Sequence, residues 1–372
     1  MALITTPEQE ELRGVIREFL KRYSSEAQLR KQVDSDPGYD PAAWRTAAEQ
    51  IGMQALAIPE ELGGAGFGFD ELVVVLEETG RALFTGPLLP SVVLASTLLL
   101  RSGDDEACRR YLPGIADGST IATVAVAEDA ELWRQSDITV SATAEGADWV
   151  LEGIKPFVLS GAEAALILVA ARTPRGVSVF AVDAATTGLT IKQQPVMDLT
   201  RRLASLTFDR CPAVLVGGDG AGWAALEATF DSAIVALACE QVGGAAAVLD
   251  ATVAYLKVRE QFGRPIGSFQ AIKHRCADML VELESARSAA AYAGTAVAAG
   301  AEDAAVAASI AKVYCSQAFY HIAAESIQMH GGIGFTWEHP AHLYFKRAKS
   351  SEVLFGSPSA HRERISRLIG MN

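Results

Sequence analysis

Arg259 lies in the stretch Tyr255-Leu-Lys-Val-Arg259-Glu-Gln-Phe262-Gly263-Arg-Pro-Ile266, beyond a long helical pattern and in a turn set by Gly263 and Pro265. A guanidinium placed there offers a fork of donors matched to phosphate oxygens. A surface arginine in a helix–helix turn would look the same. A second stretch, Ile327-Gln328-Met-His-Gly331-Gly332-Ile-Gly334-Phe335-Thr, brings three glycines together. With no side chains in the way, backbone N–H groups can approach an anion closely, though a tight turn also needs glycine. Glu240, in Ala-Leu-Ala-Cys-Glu240-Gln-Val-Gly-Gly, is a carboxylate among apolar neighbours and is expected to be partly buried. Such a group is a proton acceptor, a polar group at the end of a pocket, or a structural acid paired with Lys or Arg. His330 and His339 invite a metal reading, but no Cys or carboxylate cluster completes a ligand set, and no metal is expected.

These residues need elements to hold them. Thr6-Pro7-Glu8 is a helix start, and Leu12, Val15, Ile16, Phe19 and Leu20 recur at helical spacing behind it. Pro41 opens another helix that stops near Gly52, and 59–69 is a glycine-rich loop. Helical patterns continue over 70–83, 88–100 and 104–112. From Thr120 the character changes to short β-rich runs at 121–126, 149–151, 165–171, 177–182 and 205–208. Their spacing predicts an antiparallel sandwich or barrel. No glycine-rich strand-to-helix turn supports a Rossmann unit. From Gly222 the strands stop, and 223–258, 269–299, 303–329 and 340–349 read as long helices rich in alanine.

The chain has 372 residues and a formal charge of −13, with half its residues hydrophobic and 21% charged. That is a folded globular composition, and the acidic balance argues against a nucleic-acid partner. Five dispersed cysteines without a C-x-x-C read as reduced core residues of a cytoplasmic protein. Met1–Glu11 is too polar for a signal peptide, and runs such as 91–100 and 233–239 fall short of the ~18 apolar residues of a membrane span.

The order of elements and the two stretches above, with Ile154-Lys155-Pro-Phe157-Val-Leu-Ser160-Gly161 in the β region, resemble the acyl-CoA dehydrogenase family. The resemblance implies an α+β fold: an N-terminal helical domain (1–117), a middle antiparallel β domain (118–220) and a C-terminal four-helix bundle (221–372). It implies FAD as cofactor, an acyl-CoA substrate, and an electron-transfer flavoprotein or similar acceptor. It implies a dimer or tetramer, homomeric or heteromeric, with FAD lying across a subunit interface. On matching positions, Arg259, Phe262, Gln270, Gln328, Gly331 and Gly332 would contact FAD. Phe157 would lie against the flavin ring, with Ser160 and Ser357 nearby. Phe230 and Asp231 match the start of the substrate-side helix.

The family's chemistry, α,β-desaturation of an acyl thioester, needs a carboxylate to take the α-proton. Here the usual position near the C-terminus, in Leu354-Phe355-Gly356-Ser357-Pro358, holds Phe355, which accepts no proton. The alternative position, early in the long helix, falls on Ala233, and the family's adjoining Arg falls on Ile234. Glu240, seven residues on and ~10 Å along the same face, is the best-placed acid left, with Asp231 and Glu128 behind it. A non-catalytic partner subunit in a mixed tetramer is the competing expectation. The loop Ala127-Glu128-Asp129-Ala130-Glu131 also departs from the family's pattern.

Overall fold

The computed structural model describes residues 6–128, 132–146 and 148–371. Residues 129–131 of the divergent loop, and the first five residues of the polar N-terminal segment, lie outside the described residues. Chain contacts divide the protein into two compact units, Met1–Lys31 with Phe69–Phe84 and Ile234–Asn372, and Gln32–Gly68 with Thr85–Ala233.

The first unit is helical. Helix α1 (Pro7–Tyr23) starts as its sequence requires: Thr6 accepts from the Gln9 amide, Gln9 returns a bond to the Thr6 amide, and Pro7 fills the first turn. Helix α2 (Glu26–Val33) begins here, a short element that the sequence pattern does not reveal. After it come α3 (Pro41–Thr46) in the second unit and α4 (Phe69–Arg81) in the first. Arg13 and Arg17 of α1 clamp Glu78 of α4, whose side chain is 2% exposed. Two later helices, α5 (Ser96–Arg101) and α6 (Asp105–Ala116), belong to the second unit.

The long C-terminal helices are α7 (Trp223–Val258), α8 (Gln270–Ala298), α9 (Ala304–His330) and α10 (Ala341–Val353), close to the ranges read from sequence. A fifth, α11 (Pro358–Leu368), completes the set. Where α4 crosses α7, the two backbones touch. A Cβ on Gly80 would lie 2.1 Å from the Glu240 carbonyl oxygen, and one on Gly243 only 1.8 Å from that of Glu77. Among the described residues, α7 is the one helix long and apolar enough to cross a membrane, a run longer than the short apolar segments suggest. Its most apolar stretch is 89% buried inside the protein, which explains an apolar surface all round.

The second unit is built on strands β1 (Ala122–Ala125), β2 (Ser141–Glu145), β3 (Asp148–Leu159), β4 (Leu166–Thr173), β5 (Gly176–Asp183), β6 (Leu189–Gln193) and β7 (Leu203–Val216). Pairing runs β4–β2–β3–β7–β5 and returns to β4, which closes a barrel; β1 adds to β4 and β6 to β7. The expected antiparallel arrangement needs one correction. β1 runs parallel to β4 over four residue pairs, and β2 meets β4 in parallel at Ser141 and Arg172. Both faces of β4 are buried, as a strand without polar alternation requires.

Candidate functional site: a hairpin and a glycine turn

Helix α7 ends one residue before Arg259. The Arg259 carbonyl then accepts from the Ile266 amide at 2.8 Å, closing a hairpin of β8 (Glu260–Gln261) and β9 (Arg264–Pro265). Phe262 (φ 55°) and Gly263 (φ 73°) form its tip, the two left-handed residues of a tight hairpin turn. Glycine adopts this readily; phenylalanine does so at a cost of ~1–3 kcal/mol. The ring gains little from this chain in return, for Phe262 is 91% exposed. Arg264 lies 4.0 Å over the Phe269 ring, and exposed Gln270 is the first residue of α8.

Helix α9 ends at His330, and Gly331 (φ 65°, ψ −140°) turns the chain in a conformation open essentially to glycine. The two motifs meet at this point. Tyr255, one turn before Arg259, stacks on His330, one residue before Gly331, with ring centres 4.4 Å apart. Thr252 and Ser326 join the same two helices through their hydroxyls at 2.8 Å. His330 also holds the Ser326 carbonyl at 2.8 Å and lies 4.3 Å from the His339 ring. These contacts make His330 a strut, and the described residues contain no cluster able to hold a metal. Burial, then the neighbouring His330, push His339 below its ordinary value. The sequence names Tyr255 and His330 but gives no sign that they stack.

A Cβ on Gly331 or on Gly332 would meet nothing within 4 Å in this chain. The turn therefore opens onto free space, with exposed Gln328 just before it and exposed Arg259 one helical turn beyond the stacked Tyr255. Backbone dipoles and a guanidinium fork are donors suited to a diphosphate, and bare aromatic surface at Phe262 and Phe335 (84% exposed) suits a planar ring, a combination that fits a dinucleotide such as FAD.

In the second unit, Phe157 stands on β3 with 58% of its surface exposed, and Ser160 (φ 47°) turns the chain after that strand. Phe230 is buried, its ring 5.2 Å from that of Trp133, and Asp231 is half-buried beside it in sequence.

Phe355 (φ 59°) is buried, with 7% of its surface exposed. Its carbonyl is held by the His361 Nε2–H at 2.8 Å. Ala233 and Ile234 are wholly buried. Glu240 is 9% exposed, and its carboxylate lies 3.7 Å from the Arg347 guanidinium on α10. Ser357 accepts from the Ala360 amide as the N-cap of α11. Buried Lys312 donates to the carbonyls of Ser351 (2.9 Å) and Glu352 (3.0 Å), tying down the end of α10 just before Phe355. Neither Lys312 nor Arg347 stands out in the sequence, where each is an ordinary helix cation.

Burial pulls His361 down to about 4, against the favourable bond to Phe355. The unfolded chain, with an ordinary imidazole, therefore binds the proton first on acidification. Stability is expected to fall between about pH 6.5 and 4, by up to ~3 kcal/mol from this residue. Denaturant melts of wild type and His361→Gln across that window check it, since the variant should lose this part of the slope.

Three family models match in order: the acyl-CoA dehydrogenase N-terminal domain over 6–119, the middle domain over 123–211 and the C-terminal domain over 220–370. The chain belongs to the acyl-CoA dehydrogenase family, a family of FAD-dependent oxidoreductases that act on the CH–CH bond of acyl-CoA. It is 38% identical over 361 residues to the acyl-CoA dehydrogenase IpdE2 of Mycolicibacterium smegmatis, covering 97% of each chain. A solved variant of the Tcur3481-Tcur3483 steroid ACAD is 36% identical, with a TM-score of 0.89 and 98% of each chain covered. One chain of the ChsE4-ChsE5 complex of Mycobacterium tuberculosis is 29% identical, with a TM-score of 0.90 and both chains covered end to end.

Proposed function

We propose that this chain is one subunit of a heteromeric, FAD-dependent dehydrogenase for the CoA thioester of a steroid-derived acyl chain. The observation that carries the reading is the burial of Phe355, the residue that the resemblance matches to the usual carboxylate. Ala233, at the other expected place, is buried too. The relatives named for a steroid ACAD and for a two-chain complex support the substrate class and the mixed assembly.

Bound FAD supplies the hydride acceptor for the β-hydrogen. Arg259 holds the diphosphate through its fork, and the Gly331-Gly332 backbone lets that group come close. Gln270 and Gln328 would also reach FAD and Phe262 would meet its adenine side, while Phe157 would lie against the flavin ring with Ser160 as its neighbour. The proton acceptor comes from the other subunit, and Phe230 and Asp231 border the acyl chain. In this reading Glu240 with Arg347 is a structural ion pair, and Ser357 is a helix cap. Five free cysteines fit a cytoplasmic protein, and the electrons pass to an electron-transfer flavoprotein or an equivalent acceptor.

The test is anaerobic flavin bleaching by a panel of acyl-CoAs. The chain alone should bleach ~10²–10⁴-fold more slowly than the chain mixed with a base-bearing second subunit. Rapid bleaching by the chain alone overturns the partner reading. If Glu240→Gln then abolishes that bleaching, Glu240 is the base after all.

A further inference from the structure

Lys155 is among the largest side chains that the fold buries completely, and its side chain is 0% exposed. Its ammonium donates to the Val126 carbonyl at 2.9 Å and to Glu128 at 2.6 Å. The Glu128 side chain is itself only 7% exposed, and it accepts from the Thr139 amide at 2.7 Å, the Val140 amide at 3.0 Å and the Thr139 hydroxyl. One buried pair thus joins the chain leaving β1, the chain entering β2, and the middle of β3.

The pair sits at an irregularity. Lys155 opposes Leu206 on β7, but Val158 opposes Ala204, so β3 carries one residue more than its partner between these points. An extra residue in a strand re-aims the side chains beyond it. Strict alternation would send Pro156 outward with Ile154. The bulge sends Phe157 outward, and Ile154 and Phe157 stand 53% and 58% exposed on the outside of the barrel.

Stability alone gives little reason to keep such a pair. Burial draws the Lys155 ammonium down to about 8 even though Glu128 opposes the shift. Burial would raise the Glu128 carboxyl, yet Lys155 and the bonds from Thr139 and Val140 bring it below its ordinary range. An apolar replacement of a buried pair is often as stable.

We propose that Lys155 and Glu128 are positioning residues: they fix the bulge of β3 so that Ile154 and Phe157 form a rigid apolar platform for the flavin ring. The platform rests on the flavin reading above; the anchor does not.

The test places para-fluorophenylalanine at position 157 and tracks its fluorine NMR signal in the purified protein without added flavin. FAD affinity and the visible circular dichroism of the bound flavin are measured alongside. In the wild-type background one resonance is expected, displaced from that of the free amino acid. In Lys155→Met and in Glu128→Gln it should move toward the free value and broaden. FAD should bind several-fold more weakly, with altered flavin dichroism. Glu128→Gln keeps the test intact should Lys155→Met fail to fold. An unmoved signal in a folded variant overturns the anchor. A moved signal with unchanged flavin affinity and dichroism overturns the platform. Absence of FAD binding by the wild-type protein, alone or with a second subunit, overturns the flavin reading and the platform together, while the fluorine signal still decides the anchor.

Discussion

Arg259→Ala is expected to weaken FAD binding to the assembled protein by roughly 10- to 150-fold. The range corresponds to the loss of one charge-assisted contact of ~1.5–3 kcal/mol. Arg259 is exposed at the foot of the hairpin, so its removal leaves the fold intact and the loss reads as affinity. Arg259→Lys should fall between, because an ammonium keeps the charge and loses the planar fork. Titration of the apoprotein with FAD at fixed ionic strength, read by flavin fluorescence, measures all three. Equal affinities for wild type and Arg259→Ala would remove the hairpin from the cofactor site.

The largest expected change in stability is at the crossing of α4 and α7. Gly243→Ala puts a methyl group where the Glu77 carbonyl oxygen is 1.8 Å away and the Arg81 amide nitrogen 2.8 Å away. Both obstacles are backbone, so neither can swing aside, and the helices must separate. Overpacking of this kind costs ~3 kcal/mol or more. With ~2.1 cal/mol/K of unfolding entropy per residue over 372 residues, the thermal midpoint should drop by roughly 4 °C or more. Gly80→Ala meets the Glu240 carbonyl oxygen at 2.1 Å and should behave alike. Gly14→Ala is the control: it lies inside α1 with nothing within 4 Å, and it should be neutral or mildly stabilising. Wild-type melting of Gly243→Ala would mean that the helices do not approach so closely.

The sequence reveals local features and conceals distant ones, because periodicity carries only local information. Thr6-Pro7 and the long helical pattern of α7 announce themselves, since a cap and a helical repeat are local. The hairpin 260–265 does not, since strands of two residues have no period to detect. The parallel pairing of β1 with β4 is likewise hidden, because alternation reports burial and not direction. Ser357 shows how a local signal can be overlooked: Ser-Pro is an N-cap with a first-turn proline behind it, the same start signal as Thr6-Pro7. Here the family pattern draws attention to the flavin instead. Glu240 with Arg347, and Glu128 with Lys155, are pairs that the fold assembles, and one sequence holds no record of them.

Gly332 separates folding from function more cleanly than any other residue of the site. It has no unusual φ, and a Cβ there touches nothing in its own chain. Under the cofactor reading proposed above, the demand for glycine at this position comes from the bound diphosphate and not from the folded polypeptide. Variants at Gly332 will pass every measure of abundance, solubility or melting, and any survey that scores mutations by such measures will rank the position as freely variable. Inherited or engineered lesions of this kind belong to a class that stability-based triage overlooks, and they become visible only when occupancy of the turn is assayed directly.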